Sequence, residues 1–207
     1  MATRAGTLEG GEAKAALILA GIAISESVWV YWSAHLYPAR FLRYAGFGKA
    51  ADAGFWAWGT ACLVTIAFVY FSLHLPSVKA NLFRFSWLKL LAVLLAVAAG
   101  FCEEIVFRKL FMDFLQHKGL GVVTQIIGSG FAFGFAHAVW GLFRGSIRAA
   151  MGAMIATGGL GLALALVYVL ANRIVLPCIV AHFLINLLIE PGLVLAAVRG
   201  EMSASRT

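Results

Sequence analysis

The sequence predicts an all-α fold, a polytopic transmembrane helix bundle of about six spans. The first observation behind this prediction is composition, because 62% of the 207 residues are hydrophobic and 12% are charged. A soluble domain carries about 45–50% apolar and about 25% charged residues. The second is the length of the apolar runs, several of which reach the roughly 20 residues that a bilayer crossing needs. We therefore expect one integral membrane domain over residues 1–207.

Three runs without any Asp, Glu, Lys or Arg define the second, fourth and fifth predicted spans. They cover residues 53–78, 119–143 and 149–172. Such runs are typical of helices in lipid, because a charged side chain near the centre of a span costs about 2.5–3.5 kcal/mol on insertion scales. In chain order, the predicted spans are residues 15–37, 54–75, 87–107, 120–142, 149–171 and 174–197.

The first, third and sixth predicted spans contain ionisable side chains. The first carries Glu26, which lies among Trp and Tyr residues of the kind that form an interfacial belt. We expect Glu26 at the lipid interface; the alternative is that it points into the cavity as a substrate contact. Helical character in the third extends to Gln116, longer than one crossing, which predicts a tilt, a kink or a break after Arg108. In the sixth, the Glu-Pro-Gly of residues 190–192 predicts an early helix end and a short tail helix.

The net charge of +7 indicates basic loops rather than a nucleic-acid surface. Lys and Arg residues stand singly between the spans instead of clustering on one element, so no nucleic-acid partner is expected. Their distribution favours both termini on the inner side. The three cysteines show no metal-ligand or redox spacing and are interpreted as small apolar residues: Cys62, Cys102 and Cys178.

Two adjacent carboxylates and an arginine interrupt the third span in EEIVFR, residues 103–108. Arg108 lies four residues after Glu104, so the two share one helical face in the acid-before-base order that favours an ion pair. Glu103 is rotated by about 100° from Glu104 on an α-helix. It therefore needs a partner from another element and is the better candidate for chemistry.

The fourth span supplies one such partner in FGFAH, residues 133–137. His137 is the one readily ionisable side chain of that charge-free run. Glycines recur near one side of the same run, and small residues let a neighbouring helix approach closely; they are Gly130, Gly134 and Gly141.

The sixth span supplies a second partner in HFLIN, residues 182–186. His182 and Asn186 are four residues apart and lie on one helical face. A lone histidine in a membrane helix is commonly a packed, hydrogen-bonded core residue. Two histidines, an asparagine and an unpaired glutamate on separate spans indicate a functional site instead.

These three segments resemble the EExxxR, FxxxH and HxxxN motifs of the CAAX protease and bacteriocin-processing family of intramembrane glutamic endopeptidases. The family is related to the Ras-converting CAAX prenyl proteases. The motifs occur in the family's order over a core of about residues 87–190. The resemblance is to compact prokaryotic members, which implies a multi-pass protein of the prokaryotic inner or plasma membrane. Its implied partners are membrane lipid and a protein or peptide substrate, cleaved near its C-terminal segment.

The resemblance also implies a role for each site residue. Glu103 would activate a water as general base, assisted by His137, while His182 and Asn186 would stabilise the oxyanion. Glu104 and Arg108 would hold the site together. A desolvated carboxylate suits the role of a base, and Asn or His donors suit the stabilisation of an oxyanion.

Several alternatives compete with this interpretation. Two histidines and two carboxylates could also bind zinc, but the HExxH motif is absent. We therefore expect a protein without a cofactor, and a zinc-dependent protease is the alternative. A cysteine nucleophile is disfavoured because a thiol in apolar surroundings is normally inert. A non-enzymatic immunity or scaffold protein could use the polar groups to join helices, although that role needs no unpaired carboxylate. A transporter is disfavoured by the absence of matching halves.

Overall fold

The computed structural model describes residues 2–139 and 147–201, and within those ranges the chain is helical and contains no strand. The predicted all-α bundle is confirmed. A π-helix, Ile105–Met112, joins two of the α-helices. The α-helices of the described residues are α1 Ala2–Leu36, α2 Pro38–Ala45, α3 Phe55–Ser72, α4 Pro76–Asn81, α5 Trp87–Glu104, α6 Asp113–His117, α7 Val122–His137, α8 Ile147–Leu170 and α9 Leu176–Arg199.

Within the described ranges, five helices are long and apolar enough to cross a membrane. They correspond to the first, second, third, fifth and sixth predicted spans and cover Gly11–Leu36, Phe55–Ser72, Trp87–His117, Ala150–Leu170 and Leu176–Arg199. The fourth predicted span, 120–142, contains α7, which has 16 residues and is too short for a full crossing on its own. Residues 140–142 of that prediction lie outside the described residues.

The third span is one unbroken helical rod of 31 residues from Trp87 to His117. Ser86 caps its start, where its Oγ accepts the backbone N–H of Lys89 at 3.3 Å. At about 1.5 Å per residue the rod is about 45 Å long, which exceeds the roughly 30 Å of a bilayer's hydrocarbon core. The chain does not break after Arg108 but continues as the π-helix. Glu103 therefore lies near the middle of the rod, level with the end of the short α7.

The glycines of α7 allow close contact with α8, as the sequence predicts. A Cβ atom on Gly134 would lie 2.6 Å from the carbonyl oxygen of Met154 and 2.9 Å from the Cα of Gly158. A Cβ atom on Gly130 would lie 2.5 Å from the side chain of Leu162. The two backbones therefore meet directly, which fixes α7 against α8. Residue 141, also named in the prediction, lies outside the described residues.

The predicted early end of the sixth span is wrong, because α9 continues through Pro191 to Arg199. Proline in a membrane helix is tolerated where neighbouring groups compensate for the lost backbone bond. Pro191 leaves the carbonyl of Leu187 without its usual backbone N–H. In the same turn, Lys89 Nζ donates to the neighbouring carbonyl of Leu188 at 3.0 Å and so adds a polar contact to this part of the helix. Gly192 allows α4 to approach, since a Cβ there would lie 2.4 Å from Val78 Cα. Proline and glycine thus serve packing here, and Glu190 remains on a regular helix inside the bundle.

The α5 helix lies between α1 and α9. A cluster of buried apolar side chains holds the three helices together, with members from each of them: Ala15, Leu19, Ala23, Leu88, Leu95, Ala99, Val194 and Leu195. This arrangement places the middle of α1 next to the end of α5, where the two adjacent carboxylates lie.

Candidate active site

Glu104 and Arg108 form the ion pair that their spacing predicts. Arg108 Nε lies 3.0 Å from Glu104 Oε2, and neither side chain has any solvent exposure. Arg108 Nη2 also donates to the carbonyl of Gly161 on α8 at 3.4 Å. The pair therefore neutralises itself inside the protein and ties the rod to α8.

The two carboxylates stand where the α-helix passes into the π-helix. A π-helix bonds each residue to the fifth along the chain, and short π segments occur frequently at functional sites. Ser129 of α7 donates its hydroxyl to the carbonyl of Phe107 at 3.1 Å, so a neighbouring helix supports the backbone of this irregular segment. The sequence carries no signal for the π-helix, because its bonding pattern has no characteristic side chain.

Glu104 also fixes the orientation of His182. The Nδ1 atom of His182 lies 2.7 Å from Glu104 Oε1, and only 3% of the His182 side chain is exposed. One oxygen of Glu104 thus holds Arg108 and the other holds His182. This arrangement turns the second ring nitrogen of His182, Nε2, towards Glu103, whose Oε2 is 3.9 Å away.

His137 approaches Glu103 from another helix, α7. It is the last residue of α7, and its Nδ1 lies 2.9 Å from the carbonyl oxygen of Phe133. A carbonyl can only accept, so this bond requires a proton on Nδ1 and leaves Nε2 as the acceptor of the neutral ring. Nε2 lies 3.6 Å from Glu103 Oε2, so the acceptor nitrogen faces the carboxylate.

Glu103 therefore faces two imidazole rings from two other helices. Both distances exceed an ordinary hydrogen bond, and Glu103 Oε2 is buried without a hydrogen-bond donor among the described residues. Glu103 and His137 nevertheless keep 17% and 19% of their side-chain surface accessible. The side chains of Glu103, His137 and His182 thus form a small polar centre. They are not hydrogen-bonded to one another, and the centre remains partly accessible from outside the protein.

Phe133 separates and supports the groups around this centre. Its ring centroid lies 4.4 Å from that of His137 and 5.7 Å from that of His182, and the Arg108 guanidinium lies 4.5 Å from it. Phe133 is 1% exposed, so its position is fixed by packing. Phe133 is the first residue of FGFAH, but the sequence pattern gives no signal for these contacts.

The predicted site residues are thus brought together with one exception. Glu103, His137 and His182 face one another, and Glu104 and Arg108 support them. Asn186 lies one turn beyond His182 on α9 and is partly buried. Its convergence on the centre stays a prediction.

Two further carboxylates lie next to this centre. The interfacial position expected for Glu26 is wrong and the alternative, a position in the cavity, fits, because its carboxyl group lies next to that of Glu103. Glu190, from α9, lies close enough to Glu103 and His182 to interact electrostatically. The long separation of Glu26 and Glu103 along the chain leaves no local signal for their contact.

The described residues contain no group of three or more His, Cys, Asp or Glu side chains arranged to hold a metal ion. Both oxygens of Glu104 and the Nδ1 atoms of both histidines already have protein partners. Among the predicted site residues, the donors that remain for a metal are the Glu103 carboxylate and the Nε2 atoms of the two histidines. Among the cysteines, Cys178 is buried and donates its thiol to the carbonyl of Leu164 at 3.3 Å.

The fold and this centre define a class, the polytopic helical membrane proteins with carboxylates and histidines gathered between their helices. Residues 85–188, half of the chain, match the family model for type II CAAX prenyl endopeptidase Rce1-like. The chain belongs to this family, which makes it a membrane-embedded protease. The matched range nearly coincides with the predicted core of residues 87–190. No curated protein and no solved structure matches the chain.

Proposed function

We propose that this protein is an intramembrane endopeptidase in which Glu103 activates the water that attacks the peptide bond. The observation that carries the proposal is the position of Glu103, which lacks a hydrogen-bond donor at Oε2 and faces the Nε2 atoms of His137 and His182. A general base must be within reach of a proton and must not be neutralised by a permanent partner. Glu103 meets both conditions, whereas Glu104 is held by Arg108 and His182.

Each side chain of the centre has a defined role in the hydrolysis. Glu103 takes a proton from the water while the water oxygen bonds to the substrate carbonyl carbon, and the carbonyl electrons move to its oxygen. His182 Nε2, in the imidazolium form, and the Asn186 amide donate to that oxyanion. The tetrahedral intermediate collapses as the C–N bond breaks, and the leaving nitrogen takes the proton from Glu103. His137 Nε2, the acceptor of the neutral ring, accepts a hydrogen bond from the water and so orients it beside Glu103.

We assign a membrane-associated protein with a C-terminal tail as the substrate class. The family description names a CAAX prenyl endopeptidase, an enzyme that acts on prenylated tails. The placement of the centre beside a rod that spans the membrane suits a substrate delivered from the bilayer. No observation favours zinc over this mechanism, so zinc is treated as an outcome of the tests below.

The experiment uses the full chain reconstituted in lipid vesicles. Two quenched fluorescent peptides ending in Cys-aliphatic-aliphatic-X are compared, one farnesylated and one unmodified. We expect cleavage after the cysteine of the farnesylated peptide, with release of the last three residues. Glu103→Gln should remove this activity. Its matched control is Glu12→Gln, which removes a half-exposed carboxylate that pairs with Arg84 near the start of the same bundle.

Comparative proteomics of cells with wild-type protein or with Glu103→Gln covers substrates that the peptides do not represent. Altered termini of membrane or tailed proteins in the wild type alone would support the proposal and identify the substrate. Uncleaved peptides together with identical termini in the two strains would contradict it. That result would instead favour a non-enzymatic immunity or scaffold role.

A further inference from the structure

Glu26 brings a second carboxyl group to the proposed base from a helix that lies outside the family match. The match covers residues 85–188, and Glu26 lies on α1. Glu26 lies one turn after Ala23 on α1, and Glu103 lies one turn after Ala99 on α5. Ala23 and Ala99 pack in the same buried cluster, so the two helices bring the carboxyl groups next to each other. Among the described residues, no N–H or O–H group donates to Oε2 of either side chain, although both atoms are buried.

Two carboxyl groups in such contact must share a proton. If both were ionised, two like charges would lie together in a low-dielectric site, which is strongly unfavourable. If one is protonated, its O–H donates to the other and provides the missing donor. Arg108 does not relieve the pair, because it is held by Glu104. The nearest nitrogens of His137 and His182 lie 3.6 and 3.9 Å from Glu103 Oε2, too far for a hydrogen bond that would replace the shared proton.

We propose that Glu26 is a positioning residue for catalysis, which holds one proton and donates it in a hydrogen bond to the ionised carboxylate of Glu103. The inference rests on the proposed function, in which Glu103 is the base. In the resting site the pair carries one proton and one negative charge. When Glu103 takes the proton of the water, the pair holds two protons. Delivery of one to the leaving nitrogen restores the resting state, so no proton is lost or gained over the cycle.

The bond has a defined effect on the pH dependence of the reaction. A hydrogen bond to the ionised form of a carboxyl group favours that form, so Glu26 keeps Glu103 available as a base to lower pH. The groups that face the pair from the packed elements are Glu190 and His182 on α9, His137 on α7 and Cys102 on α5. Removing the Glu26 carboxyl leaves all four in place.

The test compares Glu26→Ala, Glu26→Gln and the control Glu12→Gln in the reconstituted full chain with the farnesylated peptide. Glu26→Ala should move the acid limb of kcat/KM to higher pH by about one to two units, as for a lost hydrogen bond to a charged group. Glu26→Gln retains an N–H donor and should show a smaller shift. Glu12→Gln should show none. A purely structural role for Glu26 would change the amount of active protein and leave the limb in place.

Infrared spectroscopy of the purified protein gives a second readout that needs no substrate. The wild type at neutral pH should show the carbonyl stretching band of a protonated carboxyl group, and Glu26→Gln should lose intensity that Glu12→Gln keeps. An unchanged acid limb in Glu26→Ala, or an unchanged band in Glu26→Gln, would overturn the inference while Glu103→Gln remains inactive. Full cleavage by Glu103→Gln would instead reject the proposed function, and this inference with it.

Discussion

The same helical rod carries two polar regions that differ in how their carboxylates are satisfied. Asp113, near the end of the rod, has donors on both oxygens: Lys109 Nζ lies 2.6 Å from Oδ2, while Tyr168 Oη lies 3.0 Å and Arg173 Nη2 lies 2.7 Å from Oδ1. Glu103, in the middle, has no donor on Oε2 and faces imidazole nitrogens at 3.6 and 3.9 Å. A carboxylate that is saturated with hydrogen-bond donors holds helices together. A carboxylate that is unsaturated in this sense can accept a proton from a substrate or a water.

The Asp113 region also explains an unusual backbone conformation. Arg173 has a φ of 63°, in the left-handed region that costs a non-glycine residue about 1–2 kcal/mol. Its guanidinium bonds to Asp113 and, through Nη1, to Gln125 at 3.0 Å. These bonds offset the strain and fix the turn between α8 and α9. Nothing comparable saturates Glu103, so the two regions have different purposes.

The largest effect is expected from neutralising the unsaturated carboxylate. Glu103→Gln and His137→Ala should each lower the rate of peptide cleavage by at least about 10²–10⁴-fold, as for lost acid–base catalysis. The abundance and the thermal unfolding of Glu103→Gln should match the wild type, because Gln occupies the same space. Full activity in Glu103→Gln would contradict the claim that Glu103, unlike Asp113, takes part in catalysis.

The next effect concerns the sealed pair beside the base. Arg108→Ala leaves Glu104 buried without its cation and should lower the free energy of unfolding by about 3–5 kcal/mol, measured as lost abundance and lower thermal stability in detergent. Lys109→Ala is the matched control, because it removes a cation from the same rod but from a partly exposed pair. Its cost should stay below about 1 kcal/mol. Normal abundance with lost activity in Arg108→Ala would place Arg108 in the catalytic set.

A comparable loss of rate is expected for the proposed oxyanion donor. Asn186→Ala should lower kcat by about 10²–10³-fold with little change in stability, as for a removed oxyanion donor. Asn186 forms no hydrogen bond within the described part of the chain that would be lost, so a structural penalty is not expected. A wild-type rate in Asn186→Ala would contradict this role and leave His182 as the one proposed donor to the oxyanion.

The smallest effect is expected at the saturated carboxylate. Asp113→Asn weakens several partly exposed charged hydrogen bonds and should lower the free energy of unfolding by about 1–2 kcal/mol, measured by thermal unfolding. The cleavage rate per folded molecule should not change. A large loss of rate in a well-folded Asp113→Asn protein would show that saturation does not separate structural from functional carboxylates here.

Much of this contrast can be read from the sequence where the signal is local. Charge-free runs predict the helices because lipid excludes charge, and the spacing of Glu104 and Arg108 predicts their ion pair because helix geometry fixes it. The Glu103 contacts with His137 and His182 follow from the three motifs. The contact with Glu26 does not, because it depends on how α1 packs against α5, and that packing uses small and apolar residues with no unique pattern.

The sequence signals that failed did so for related reasons. Pro191 and Gly192 normally end helices, but here a lysine donor and the close approach of α4 make them compatible with a continuous α9. The aromatic residues near Glu26 resemble an interfacial belt, yet tertiary packing turns its carboxyl group inward. In both cases a long-range contact outweighs a local preference.

The most direct test of the central claim is the cleavage rate of the purified wild-type protein after exhaustive chelation, with its zinc content determined on the same sample. If Glu103 activates the water without a metal, the chelated protein should cleave the farnesylated peptide at its original rate and contain no stoichiometric zinc. Loss of cleavage on chelation and its recovery on addition of zinc would contradict the account. That result would make His137 and His182 metal ligands.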